Sequence, residues 1–71
     1  MDELLPGVYR HFKGNEYRLL YTATHSETLE KMVVYQALYG ARGIWVRPAV
    51  LWSERVTRDG YDGPRFCYLG E

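Results

Sequence analysis

Lys31-Met32-Val33-Val34-Tyr35-Gln36-Ala37-Leu38-Tyr39-Gly40-Ala41-Arg42-Gly43-Ile44-Trp45-Val46-Arg47 is the stretch on which the fold turns. Its first half supports two periods. Leu29, Met32, Val33, Gln36 and Ala37 line one helical face, with Ser26 placed to cap it. Against this, Val33-Val34-Tyr35 is a strand-favouring cluster of β-branched and aromatic residues. The sequel decides between them. Gly40-Ala41-Arg42-Gly43 is a loop with two glycines, and Ile44-Trp45-Val46-Arg47 is a second β-rich run. Two such runs joined by such a loop make a hairpin. In that hairpin residue 38 falls near residue 45 and residue 36 near residue 47.

The neighbouring segments read the same way. Gly7 to Phe12 favours a strand, Lys13-Gly14-Asn15 is a tight turn, and Glu16 to His25 alternates. Tyr17, Leu19, Tyr21, Ala23 and His25 share one face, opposite Arg18, Leu20, Thr22 and Thr24. Downstream, Pro48 ends its strand because it has no N–H to donate. Ala49 to Glu54 suits at most one short helical turn, and Arg55-Val56-Thr57 extends again. Arg58-Asp59-Gly60-Tyr61-Asp62-Gly63-Pro64 reads as a loop and Arg65 to Leu69 as a last strand. Five or six short antiparallel strands cannot form two independent sheets here. The economical architecture is a mainly β, small SH3-like, partly open barrel. Residues 1–6 form a loose lead-in and residues 7–71 one domain.

Composition narrows the function classes. A chain of 71 residues buries only about 60% of the surface its unfolded form exposes, so stability is expected to be marginal. Seven Tyr, two Trp and two Phe supply the core, each burying roughly 150–250 Å². Nine basic residues balance nine acidic ones, which argues against nucleic acid as a partner. No apolar run approaches the roughly 20 residues that span a bilayer, and the short acidic start Met1-Asp2-Glu3-Leu4-Leu5-Pro6-Gly7 is not expected to serve as a signal peptide. Cys67 stands alone and reads as a buried thiol in a reducing compartment, so a cytoplasmic location is expected.

Five blocks, Tyr9 to Tyr17, His25 to Thr28, Val33 to Gly40, Trp45 to Pro48 and Pro64 to Phe66, span almost the whole chain. Together they resemble a short bacterial family known only as a domain of unknown function. The resemblance implies a compact β-rich domain and brings no activity with it. Trp52 stands where the family pattern has a smaller aromatic such as Phe, a difference expected to alter packing only.

Two constellations could carry chemistry. His25-Ser26-Glu27-Thr28 places an imidazole, two hydroxyls and a carboxylate where a strand enters a loop. The group suits acid–base work or a polar ligand, or else the hydroxyls simply shape the turn. Tyr35, Trp45 and Arg47 form the second. Trp45 and Arg47 share a face opposite Ile44 and Val46, and either face could be the core. With Ile44 and Val46 inside, an indole and a guanidinium point outward. With Trp45 inside, Arg47 needs a partner such as Glu27 or Glu54. Arg65 is a further candidate for an anion site. His11 lies near residue 17 and far from His25, and the zinc-type spacings of Cys and His are missing, so neither a metal nor a cofactor is expected. The leading expectation is a binding module for a protein, peptide or small polar ligand. The alternative is a small hydrolase using His25 and Glu27 with Arg47 as anion clamp. Edge strands on so small a sheet also offer a route to a homodimer.

Overall fold

A computed structural model describes residues 4–71. The chain runs through β1 (Gly7–His11), β2 (Glu16–Thr24), β3 (Lys31–Ala37), β4 (Ile44–Pro48), α1 (Ala49–Trp52), β5 (Arg55–Arg58), β6 (Tyr61–Pro64) and β7 (Phe66–Gly70). Five strands form one antiparallel sheet in the order β4-β3-β2-β1-β7, and β5 and β6 pair as a separate ribbon. The fold is all-β with one helical turn, as the sequence leads one to expect, and it is open rather than closed. No helix among the described residues is long and apolar enough to cross a membrane.

The sheet is strongly curled. Strands β4 and β7 lie at opposite edges, four intervals apart, or about 19 Å in a flat sheet. Yet the Arg47 guanidinium on β4 lies 5.7 Å from the centre of the Phe66 ring on β7. Two irregularities contribute to the twist. One breaks the β1–β7 register between Val8 and Tyr9, and the other breaks the β2–β3 register between Leu19 and Tyr21. Gly7 enters β1 at a φ of 143°, where a side chain would meet the Gly70 carbonyl oxygen at 2.7 Å, so only glycine fits there.

The core lies in the trough. Tyr9, Leu19, Val33, Trp52 and Phe66 form its buried cluster, with Leu4, Tyr17, Tyr35 and Ala49 packed against it. Trp52 is delivered by α1, which Pro48 opens, and this is how a four-residue helix contributes its one buried residue. Residues 1–3 of the lead-in lie outside the described residues. The rest of the lead-in is tied down rather than loose: Leu4 packs on the core, and the Leu5 and Pro6 carbonyls accept the hydroxyls of Tyr9 and Tyr68.

Five details differ from the sequence expectations. There are seven strands rather than five or six, and they form two sheets rather than one, because β5 and β6 close on each other as a hairpin. The β2 bulge at Leu20 sends Tyr21 and Ala23 to the outer face, away from Tyr17 and Leu19. The β3–β4 loop spans six residues, 38–43, so Trp45 faces Tyr35 and Arg47 faces Val33. Residues 61–64 are a strand, not a loop. Asp59 and Gly60 both take positive φ, at 51° and 82°, and close a two-residue hairpin onto Arg55–Arg58. Cys67 is exposed, because it alternates with Phe66 and Tyr68 and so sits on the outer face of β7.

Candidate functional site

The inner face of the sheet carries a continuous field of rings. Phe66 is its hub. The Trp52 ring stacks on it at 3.8 Å and 4°, while His11 and Tyr17 meet it edge-on at 5.0 and 5.8 Å. Tyr17 also meets Tyr35 and Tyr39 edge-on, each at 5.6 Å, and Tyr35 meets Trp52 at 4.9 Å. Trp45 stands outside this ring network, with its indole turned over Gly43. Trp45 sits directly across the β3–β4 ladder from Tyr35 and is 59% exposed. Ile44 and Val46, on the opposite face, are each 62% exposed. The outer side of β4 is therefore not the core, and the Trp45–Arg47 side is the one that faces the trough.

Polar groups within this field are few and constrained. The Tyr17 and Tyr39 hydroxyls share a hydrogen bond of 2.9 Å. Burial, with that bond next, pushes the Tyr17 phenol up to about 12. The Trp52 indole N–H is buried with no acceptor among the described residues, and so is the Arg65 Nε. His11 accepts the Lys13 backbone N–H on Nδ1 at 3.1 Å, which leaves the proton of the neutral ring on Nε2. Burial first, and then the charges of Arg65, Arg47 and Lys13, hold His11 below the ordinary imidazole range.

The candidate residues fall into two groups. Tyr35, Trp45 and Arg47 gather on the inner face, and Arg65 borders it. Arg65 donates to Glu54 at 2.9 Å and lies 5.9 Å from the Phe12 ring. Arg47 pairs with neither Glu27 nor Glu54; its neighbour is the Phe66 ring. His25, Glu27 and Thr28 lie apart, in the exposed loop that joins β2 to β3. His25 Nδ1 accepts the N–H groups of Glu27 and Thr28 at 3.1 and 3.3 Å, and the Thr28 hydroxyl oxygen accepts the Glu30 N–H. This is turn-shaping chemistry. It occupies the lone pair that a general base would need.

Sequence reasoning set aside His11 and gave no role to Tyr17, Tyr39 or Phe66. Their importance comes from the curl, which brings β7 under β4. A usable signal was the aromatic alternation of Tyr9, His11, Phe66 and Tyr68, which pair as rungs of β1 and β7.

Comparison with known proteins agrees with this architecture. The sequence model of the family described as "Protein of unknown function (DUF1653)" matches residues 7–68. The chain belongs to the DUF1653 family. Among solved structures, this DUF1653 chain is similar to the crystal structure of a DUF1653 protein from Bordetella bronchiseptica. The two share 41% sequence identity at a TM-score of 0.88, over 96% of this chain and 90% of that one. No curated protein matches it.

Proposed function

We propose that this DUF1653 domain is a cytoplasmic binding module whose inner aromatic face receives a protein, a peptide or a small polar ligand. The observation that carries this reading is the exposure of Trp45 on the core side of the sheet, beside Arg47 and across from Tyr35. A large ring at the rim of a packed aromatic field gains from being covered, and Trp and Arg are the residues that most often anchor interfaces. The exposed free thiol of Cys67 suits a reducing compartment.

A thermal-shift screen against metabolites and short peptides tests the reading. A ligand at 100 times its dissociation constant adds about 2.7 kcal/mol, which is readily seen in a small domain. Hits are expected to vanish in Trp45→Ala and to persist in His25→Ala. Hits lost in His25→Ala and kept in Trp45→Ala would move the site to the β2–β3 loop and sink the proposal.

A further inference from the structure

Arg47 is the residue of the inner face that the fold leaves unanswered. Arg10, Arg55 and Arg65 each pair with a carboxylate, at 3.3, 3.0 and 2.9 Å. Arg18, Arg42 and Arg58 are exposed to water. Among the described residues, Arg47 is the one half-buried arginine with neither an ion pair nor a hydrogen-bond partner. Its guanidinium lies over the Phe66 ring at 5.7 Å from the centroid, and no side chain among the described residues accepts its N–H groups. Arginine cannot shed its charge, so partial burial without a counter-ion is unfavourable.

The surroundings point the same way. The charged groups that bear on neighbouring His11 are Arg65, Arg47 and Lys13, all cations, and the titratable side chain in ring contact with it is the Tyr17 phenol. Arg65 is offset by its Glu54 pair, so Arg47 and Lys13 are the two cations of this corner without an ion pair among the described residues. Trp45 and Tyr35 share one ladder rung, two residues along β4 from Arg47 and on the same face, with the Trp45 indole turned over Gly43.

We propose that the inner face takes a carboxylate joined to a planar apolar group, with the carboxylate on the Arg47 guanidinium and the planar group against Trp45 and Tyr35. This rests on the binding-module reading and adds the ligand's chemical class. A guanidinium matches a carboxylate with two parallel N–H donors. A nucleic-acid backbone would need a track of several free cations, and Arg65 is already engaged by Glu54. The carboxylate comes either from a free organic acid or from the C-terminus of a peptide, and both present the same group to Arg47.

The test is an NMR titration of the full chain with phenylacetate, its neutral counterpart phenylacetamide, and a short peptide ending in Phe with a free or an amidated C-terminus. Phenylacetate is expected to shift the Trp45 indole and Arg47 Nε resonances saturably and to bind at least tenfold more tightly than the amide. Arg47→Gln should erase that preference, Arg47→Lys should retain part of it, and Arg18→Gln on the outer face should leave it intact. The His11 titration should move upward on binding, because the anion cancels part of the positive field. A free-ended peptide that outcompetes phenylacetate identifies a peptide C-terminus as the source; the reverse order identifies a small acid. Equal binding of acid and amide overturns the carboxylate assignment while leaving the aromatic face as a binding surface. The absence of saturable shifts from either acid at millimolar concentration overturns it as well, and the thermal-shift screen then decides separately whether the face binds anything.

Discussion

His11 and His25 each stand where a strand enters a turn, and each accepts on Nδ1 the N–H two residues further on, from Lys13 and Glu27 respectively, both at 3.1 Å. The local act is the same and the surroundings are opposite. His11 closes the β1–β2 turn against Phe12, Tyr17 and Phe66, with three cations in reach. His25 closes the β2–β3 turn in a loop exposed at every residue from 25 to 30. Both turns close on β2, nine residues long, so about 27 Å of strand separates its ends. The difference teaches that a histidine's local hydrogen bond says little about its role. The sheet's curl decides it, by folding β7 and α1 over one end of β2 and leaving the other end bare.

The largest effect expected is loss of the hub at the His11 end. Phe66→Ala removes the stack on Trp52 and two edge contacts, and cavity formation at a buried aromatic costs about 3–5 kcal/mol. In a domain of this size that consumes most of the stability. A urea melt followed by circular dichroism should show the variant largely unfolded in buffer. A well-folded Phe66→Ala would mean that the aromatic field is not what holds the two edges of the sheet together.

A paired substitution addresses the comparison directly. His11→Ala and His25→Ala both leave backbone donors to water or without partners. Each hydrogen bond lost in an exposed turn costs about 0.5–1.5 kcal/mol, one at His11 and two at His25. His11→Ala also loses its ring contacts, each worth about 0.5–1.5 kcal/mol, so it should melt lower by a clear margin. Equal melting temperatures would erase the distinction between the two ends.

The pH dependence sharpens it. His11 is held below its unfolded value, so its neutral form favours the folded state. Its stabilising contribution is complete above the unfolded value of about 6.5 and is lost as pH falls through the lower folded value. Denaturant midpoints measured across this range should decline on acidification, and the decline should shrink in His11→Gln. Arg47→Gln should shrink it too, since Arg47 is one of the charges that depress His11. An unchanged slope in both variants would remove His11 from the account.

Much of this was legible in the sequence, for reasons that can be located. Val33-Val34-Tyr35 and the glycine-bearing loop after it marked the β3–β4 hairpin, and Pro48 marked its end. The Lys13-Gly14-Asn15 turn fixed β1 against β2. The register of β3 on β4 was not legible, because nothing local says that Leu38 and Tyr39 belong to the loop. A shift of three residues changes which face Trp45 occupies. The bulge at Leu20 was equally hidden, since an alternating run reads the same with or without an extra residue. The Asp59-Gly60 pair was a readable hairpin signal, masked by the further glycine and proline beside it. For the site, Tyr35, Trp45 and Arg47 could be picked by residue type. His11, Tyr17 and Phe66 could not, because their grouping depends on contacts between chain segments some fifty residues apart.

The smallest effect expected has the opposite sign and belongs to the His25 end. Leu29 is 74% exposed and sits at a φ of 63°, in the left-handed region. For an L-residue that conformation costs about 1–2 kcal/mol, and here no burial offsets it. The loop holds it there because the Leu29 N–H donates to the His25 carbonyl while the His25 N–H donates to the Glu30 carbonyl, which fixes the backbone on both sides. Glycine takes the same φ without strain, although it loses more freedom on folding. The net gain for Leu29→Gly is therefore expected to be about 0.5 kcal/mol, read as a small rise in melting temperature. The same variant should leave ligand-induced shifts at Trp45 unchanged, because Leu29 lies outside β3 and Trp45 pairs with Tyr35, four residues into that strand from Lys31. A gain in stability with altered binding would join the two ends, and the contrast between the histidines would then be one of degree.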